Sequence, residues 1–142
     1  MSDNELQSTR LILQPRAALF NAYADPALLT QWFGPDGFTS TFHAFDFRDG
    51  GRWHFTFHSP DRTNYDNEWV FTSIVEGERI DLEHLSAPHF LMHTILADEA
   101  GGTRLTWRMV FESAKVLAAI RHIIAPSNEQ NFDRLEAVLA KL

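Results

Sequence analysis

At 142 residues the chain fits one domain, large enough to bury about 70% of the surface its unfolded form would expose. It has no cysteine, which excludes disulfides, thiolate catalysis and Cys-based metal centres and fits a reducing, cytoplasmic setting. Twelve Lys and Arg against nineteen Asp and Glu give a net charge of −7, a field that repels phosphate backbones, and no basic patch with interleaved aromatics offsets it, so nucleic acid is not an expected partner.

The polar start Met1-Ser2-Asp3-Asn4-Glu5 is unlike a secretory leader, and no run approaches the roughly 18 apolar residues that a membrane span requires; no membrane partner is expected. Leu6 to Leu13 then reads as a strand, with Leu11 and Leu13 on one side and Arg10 and Ile12 on the other, ended by Pro15. Leu19, Phe20 and Tyr23 lie at helical spacing. Asp25-Pro26 stops that helix and starts another, with Asp25 as its cap, Pro26 at its first position, and Leu28, Leu29, Trp32 and Phe33 inside.

From Phe38 to Phe111 the apolar period is two. Turn residues at Gly50-Gly51, Ser59-Pro60-Asp61, Glu76-Gly77-Glu78, Ser86-Ala87-Pro88 and Gly101-Gly102 delimit about six strands, most simply an antiparallel meander. Trp53, Phe55 and Phe57 alternate with Arg52, His54, Thr56 and His58; Leu105, Trp107, Met109 and Phe111 alternate with Arg104, Thr106 and Arg108. One face of the sheet is therefore apolar and covered, the other polar and wet. Beyond Phe111 the period turns helical. Val116, Leu117, Ile120, Ile123 and Ile124 form one amphipathic stretch, Pro126 interrupts it, and Ser127-Asn128-Glu129-Gln130 resembles a capping box for a final helix bearing Phe132, Leu135, Val138, Leu139 and Leu142. The expected architecture is α+β: a curved six- to seven-stranded antiparallel sheet wrapped around a long C-terminal helix, with two short helices after the first strand. No repeat, linker or low-complexity tract divides it.

Four segments carry a resemblance: Trp32 to Thr39 (WFGPDGFT), Asp46 to Trp53 (DFRDGGRW), Gly102 to Met109 (GTRLTWRM) and Gln130 to Leu135 (QNFDRL). In this order they resemble the helix-grip, or START-like, SRPBCC superfamily, also called Bet v-like. The nearer likeness is to the bacterial branch related to the C-terminal domain of the heat-shock-protein-ninety ATPase activator. The resemblance implies an internal cavity. It leaves the activity open among ligand carriers, cyclases and cochaperone domains. The family's last helix commonly begins Gly-Trp where this chain has Ser127-Asn128, which implies a wider and more polar cavity end.

Ligand contacts are expected from Trp32, Phe33, Trp53, Phe55, Met92, Trp107, Met109 and Phe132, with polar contributions from His43, Glu68, His84 and Asn128. Period two would send His43 inward with Phe45 and Phe47, and His84 inward with Ile80 and Leu82, making these two the candidates for proton transfer; the plainer reading is that each is simply hydrogen-bonded. The pairs His54 and His58, and His89 and His93, are about 13 Å apart along a strand, too far to share an ion, so no metal centre is expected, and no cofactor. Asp46, Arg48 and Arg52 belong to a hairpin end, and Gly34-Pro35-Asp36-Gly37 lacks the Lys and context of a phosphate loop.

The leading expectation is a domain that binds a hydrophobic or amphipathic small molecule. The alternatives are a cyclase- or hydratase-type enzyme using cavity histidines and a stress-related module with a chaperone-type protein partner. A homodimer is compatible with each.

Overall fold

A computed structural model describes residues 3–142. The elements run β1 (Glu5–Ile12), α1 (Arg16–Ala24), α2 (Pro26–Trp32), β2 (Thr39–Phe45), β3 (Arg52–His58), β4 (Asn64–Val75), β5 (Arg79–His84), β6 (Phe90–Glu99), β7 (Gly102–Phe111) and α3 (Ala114–Leu139). The seven strands form one antiparallel sheet in the order β1-β7-β6-β5-β4-β3-β2, so β2 to β7 are a meander and β1 closes against its last strand. The expected α+β architecture is thus present, with α3 lying along β1, α2 and β7.

Local chemistry accounts for the entry to each helix. The Asp25 carboxylate accepts from the Ala27 N–H at 2.9 Å while Pro26 opens α2, where its missing N–H is no loss. The Ser113 hydroxyl caps α3 by accepting from Val116 N–H at 3.2 Å. The break expected at Pro126 does not occur. The helix runs through it from Ala114 to Leu139, and Ser127, instead of capping a new helix, donates its hydroxyl to the Ile123 carbonyl at 2.8 Å within the same one. Proline costs this helix the bond to the His122 carbonyl, but burial of Leu117, Asn128, Asn131, Phe132 and Leu135 on both sides of the lesion holds the two halves in line.

The apolar face follows period two most cleanly in β7, where Thr103, Leu105, Trp107, Met109 and Phe111 are buried and their neighbours are not. In β1 the inward set is Leu6, Ser8, Arg10 and Ile12, and Leu13 is exposed past the strand's end. Inward Arg10 meets α3, where its guanidinium pairs with Glu129 at 2.8 Å and with Asp133 and Glu136 at 2.6 Å. The Gly50-Gly51 turn is needed for two different reasons. Gly50 has φ +79°, and a Cβ on Gly51 would sit 1.8 Å from the Asp46 carbonyl oxygen. Beside that turn Arg48 pairs with Asp46 at 2.7 Å, the structural role expected of those charges.

Candidate functional site

Between the middle of α3 and the inward faces of β4 to β7 lies an open cavity of about 630 Å³. Its wall is mainly aromatic and sulfur-bearing, with Phe33, Trp69, Phe90 and Trp107 and the thioethers of Met92 and Met109; its polar groups include Asn67, His84, Asn128 and Asn131. The mouth is edged by Pro35, Phe38 and Tyr65.

The mouth loop is tied down from α3. Gly34 N–H donates to Asn131 Oδ1 at 2.7 Å, Asp36 N–H donates to Gln130 Oε1 at 3.0 Å, and the Arg134 guanidinium donates to the carbonyls of Gln31, Gly34 and Pro35 at 2.8 to 3.1 Å. The polar residues of the QNFDRL segment therefore hold the WFGPDGFT loop. Apolar Phe132, between them, faces the core and puts its ring edge-on to Trp107 at 4.8 Å. Burial lowers the Arg134 pKa, opposed by the charge of Asp36.

His84 ends β5 on the inward face and is 5% exposed. Its Nδ1–H donates to the Pro88 carbonyl at 2.7 Å, which leaves Nε2 of the neutral ring as an acceptor. The Ser86 hydroxyl, 3.0 Å away, donates to Nε2 and itself accepts from the Glu68 N–H at 3.2 Å, and the Asn67 side-chain amide lies 3.0 Å from the same nitrogen. The ring packs against Trp69 and Phe90 with centroids 4.6 Å away in each case. Burial lowers its pKa and the nearby His89 adds to this, against the opposing pull of the Pro88 carbonyl, so the ring is held neutral. Asn128 is 5% exposed, and its Nδ2 donates to Ser8 Oγ at 3.0 Å and contacts Met109 Sδ at 3.4 Å. The indole N–H groups of Trp53 and Trp69 are buried without a partner among the described residues.

Of the residues singled out in the sequence, Phe33, His84, Met92, Trp107, Met109 and Asn128 border this cavity. Trp32, Trp53, Phe55 and Phe132 are fully buried and lie in the packed core beside it instead. Two expectations are corrected. His43 faces outward, because β2 carries a bulge between Phe42 and Ala44 that opposes an extra residue to β3 and reverses the side-chain parity. Glu68 also points outward, one residue out of phase with Trp69, and its carboxylate is gripped by the Arg52 guanidinium.

Wall residues not picked out in the sequence include Asn67 and Tyr65, which continue the inward parity of Trp69, and Ile124, Ser127 and Asn131, which flank Asn128 at helical spacing. The first pair was legible by extending period two along β4. The second set was hidden by reading Pro126 as a helix end.

The family model described as "Activator of Hsp90 ATPase homolog 1-like protein" matches residues 14–140. No curated protein sequence matches the chain. Solved structures with the same fold include a protein from Nitrosomonas europaea, at 17% identity and TM-score 0.90, with 99% of this chain and 97% of that one covered. A Rhodobacter sphaeroides protein is 22% identical with TM-score 0.90, covering 99% and 95% of the two chains. An AHSA1-like protein from Aeromonas hydrophila is 18% identical with TM-score 0.77, covering 96% and 92%. The match over nearly the full length, on a seven-stranded sheet closed by one long helix, makes this chain a member of the Activator of Hsp90 ATPase homolog 1-like family.

Proposed function

We propose that the domain binds a hydrophobic or amphipathic small molecule in the cavity between α3 and the sheet. The observation that carries this reading is the cavity itself: about 630 Å³, within the range of small-molecule sites, with an aromatic wall and a few polar groups at fixed positions. Phe33, Met92, Trp107 and Met109 supply apolar contact. His84, held neutral with its Nδ1–H engaged, and Asn128, whose Oδ1 accepts no hydrogen bond among the described residues, supply orientation. Of the two histidines expected to move protons in the cavity, His84 borders it and His43 lies outside. The binding reading therefore stands ahead of a cyclase or hydratase.

The test is a titration of the full chain with a panel of fatty acids and polycyclic aromatic compounds, followed by tryptophan fluorescence and native mass spectrometry. One-to-one complexes with altered emission are the expected result, because Trp69 and Trp107 form the wall. Absence of any complex together with unchanged emission across the panel would overturn the proposal.

A second reading, a protein partner docking at the mouth, draws on the family's description and on the exposure of Tyr65 at 48% and Ile123 at 57% on the rim.

A further inference from the structure

The bulge that turns His43 outward does more than remove it from the cavity. On the solvent side of the sheet, where β2, β3 and β4 run side by side, it brings His43 next to His54 and Asp66. Their ligand-type atoms all lie within 4.8 Å of one another. The two imidazole rings are 4.7 Å apart between centroids, and His54 Nε2 is 2.7 Å from Asp66 Oδ1. We propose that His43, His54 and Asp66 form a binding site for a divalent first-row transition ion, zinc in particular, with positions left open to water or to an anionic ligand.

The donor set argues for this class of ion. Two imidazole nitrogens and one carboxylate oxygen are the three-ligand combination that binds zinc and leaves a coordination position free, whereas calcium and magnesium take oxygen donors almost exclusively. Bonds of about 2.1 Å in a tetrahedron place donors roughly 3.4 Å apart. The present spread of up to 4.8 Å must contract, and the 2.7 Å contact between His54 and Asp66 must open by several tenths of an ångström. His43 and Asp66 are exposed and His54 is half-buried, so small rotations suffice without repacking the core.

The surroundings are those a ligating histidine needs. If His54 turns Nε2 to the ion, its Nδ1–H faces Glu68 Oε1, 3.6 Å away. Glu68 is in turn held by two hydrogen bonds from Arg52. This carboxylate behind the imidazole fixes the tautomer and raises the basicity of the ligating nitrogen. The His43 ring is steadied by Thr56, whose Oγ1 lies 2.8 Å from its Nε2, so one nitrogen of each ring remains to be given to the ion. The bulge sets His43 and Ala44 together opposite His54, which places the His43 ring on the outer face beside the His54 ring. Asp66 also reaches the cavity rim, but no group proposed to orient a cavity ligand belongs to the cluster.

Isothermal titration calorimetry of the full chain with zinc chloride, repeated in two buffers of different protonation enthalpy, tests the site. One equivalent is expected to bind, the ion displacing the hydrogen bond between His54 and Asp66. His43→Ala, His54→Ala and Asp66→Asn are each expected to weaken binding at least tenfold, with an unchanged circular dichroism spectrum. Glu68→Gln should weaken it by about tenfold as a positioning residue. His89→Ala, just before β6, and His93→Ala, within it, should leave the affinity as it is. Absence of binding at millimolar zinc would overturn the proposal, as would an affinity that survives the His43→Ala, His54→Ala double substitution.

Discussion

The indole N–H of Trp107 donates to the hydroxyl oxygen of Tyr23 at 2.6 Å, joining residues 84 positions apart in the sequence. Tyr23 completes the pair by donating to Thr94 Oγ1 at 3.3 Å, and all three side chains are buried. Helix α1 is thereby fixed to β6 and β7 under the aromatic core. Burial drives the phenol pKa well above its ordinary value, only partly opposed by the bonds to Thr94 and Trp107, so Tyr23 stays neutral.

Tyr23→Phe keeps the ring but leaves the Trp107 indole N–H and the Thr94 hydroxyl without this partner. A loss of about 1–3 kcal/mol in unfolding free energy is expected by urea denaturation at unchanged m-value. A neutral outcome would mean that the three groups are satisfied some other way.

His84 gives a pH dependence of known sign. Its folded-state pKa is depressed, chiefly by burial, so below the unfolded value near 6.5 the unfolded chain takes up a proton that the folded chain refuses. The stability tied to the neutral ring is present above that value and is lost as pH falls through it toward the folded pKa. Relative to the non-titrating His84→Gln variant, wild-type stability should therefore decline between pH 7 and pH 5. Parallel stability curves for the two proteins would rule this out.

Asn128 borders the cavity from the middle of α3. Asn128→Trp should fill that part of the cavity at the expense of the bond to Ser8. The expected outcome is at least a tenfold loss of affinity for whichever cavity ligand the panel identifies. A smaller ligand should be less affected than a larger one, and equal losses for both would point to unfolding rather than filling.

Pro126→Ala restores an N–H for the His122 carbonyl in a helix that is already continuous. Proline in a helix interior costs about 3 kcal/mol relative to alanine, and packing on both sides of Pro126 offsets part of that cost in α3. A gain of about 1–3 kcal/mol is expected by thermal or urea unfolding. A loss would imply that the proline sets the course of α3 along β1 and α2.

The strand set, the two short helices with their Asp25-Pro26 junction, and the aromatic side of the sheet were legible in the sequence because each follows from local periodicity and turn chemistry. The cavity was legible less directly, through the resemblance and the alternation that carries His84 inward with Ile80 and Leu82. Failures came where one residue shifts the phase. The bulge at His43 reverses which face it joins; Phe42 and Phe45, both turned to the core yet three residues apart, carry the break in period two that counting back from Phe45 and Phe47 passes over. At Pro126 a strong local helix-breaker was overruled by packing on both sides of it.

The sequence by itself determined the elements and the apolar face, since period two, helical spacing and the glycine and proline punctuation act over a few residues. Tertiary structure alone decided which aromatics fill the core and which line a void, because local pattern does not say whether other side chains or open space will lie above a given ring. It also decided that Glu68 pairs with Arg52 outside the cavity, and that His43, His54 and Asp66 meet across three strands. Those encounters depend on strand register, which long-range pairing sets and local pattern does not contain.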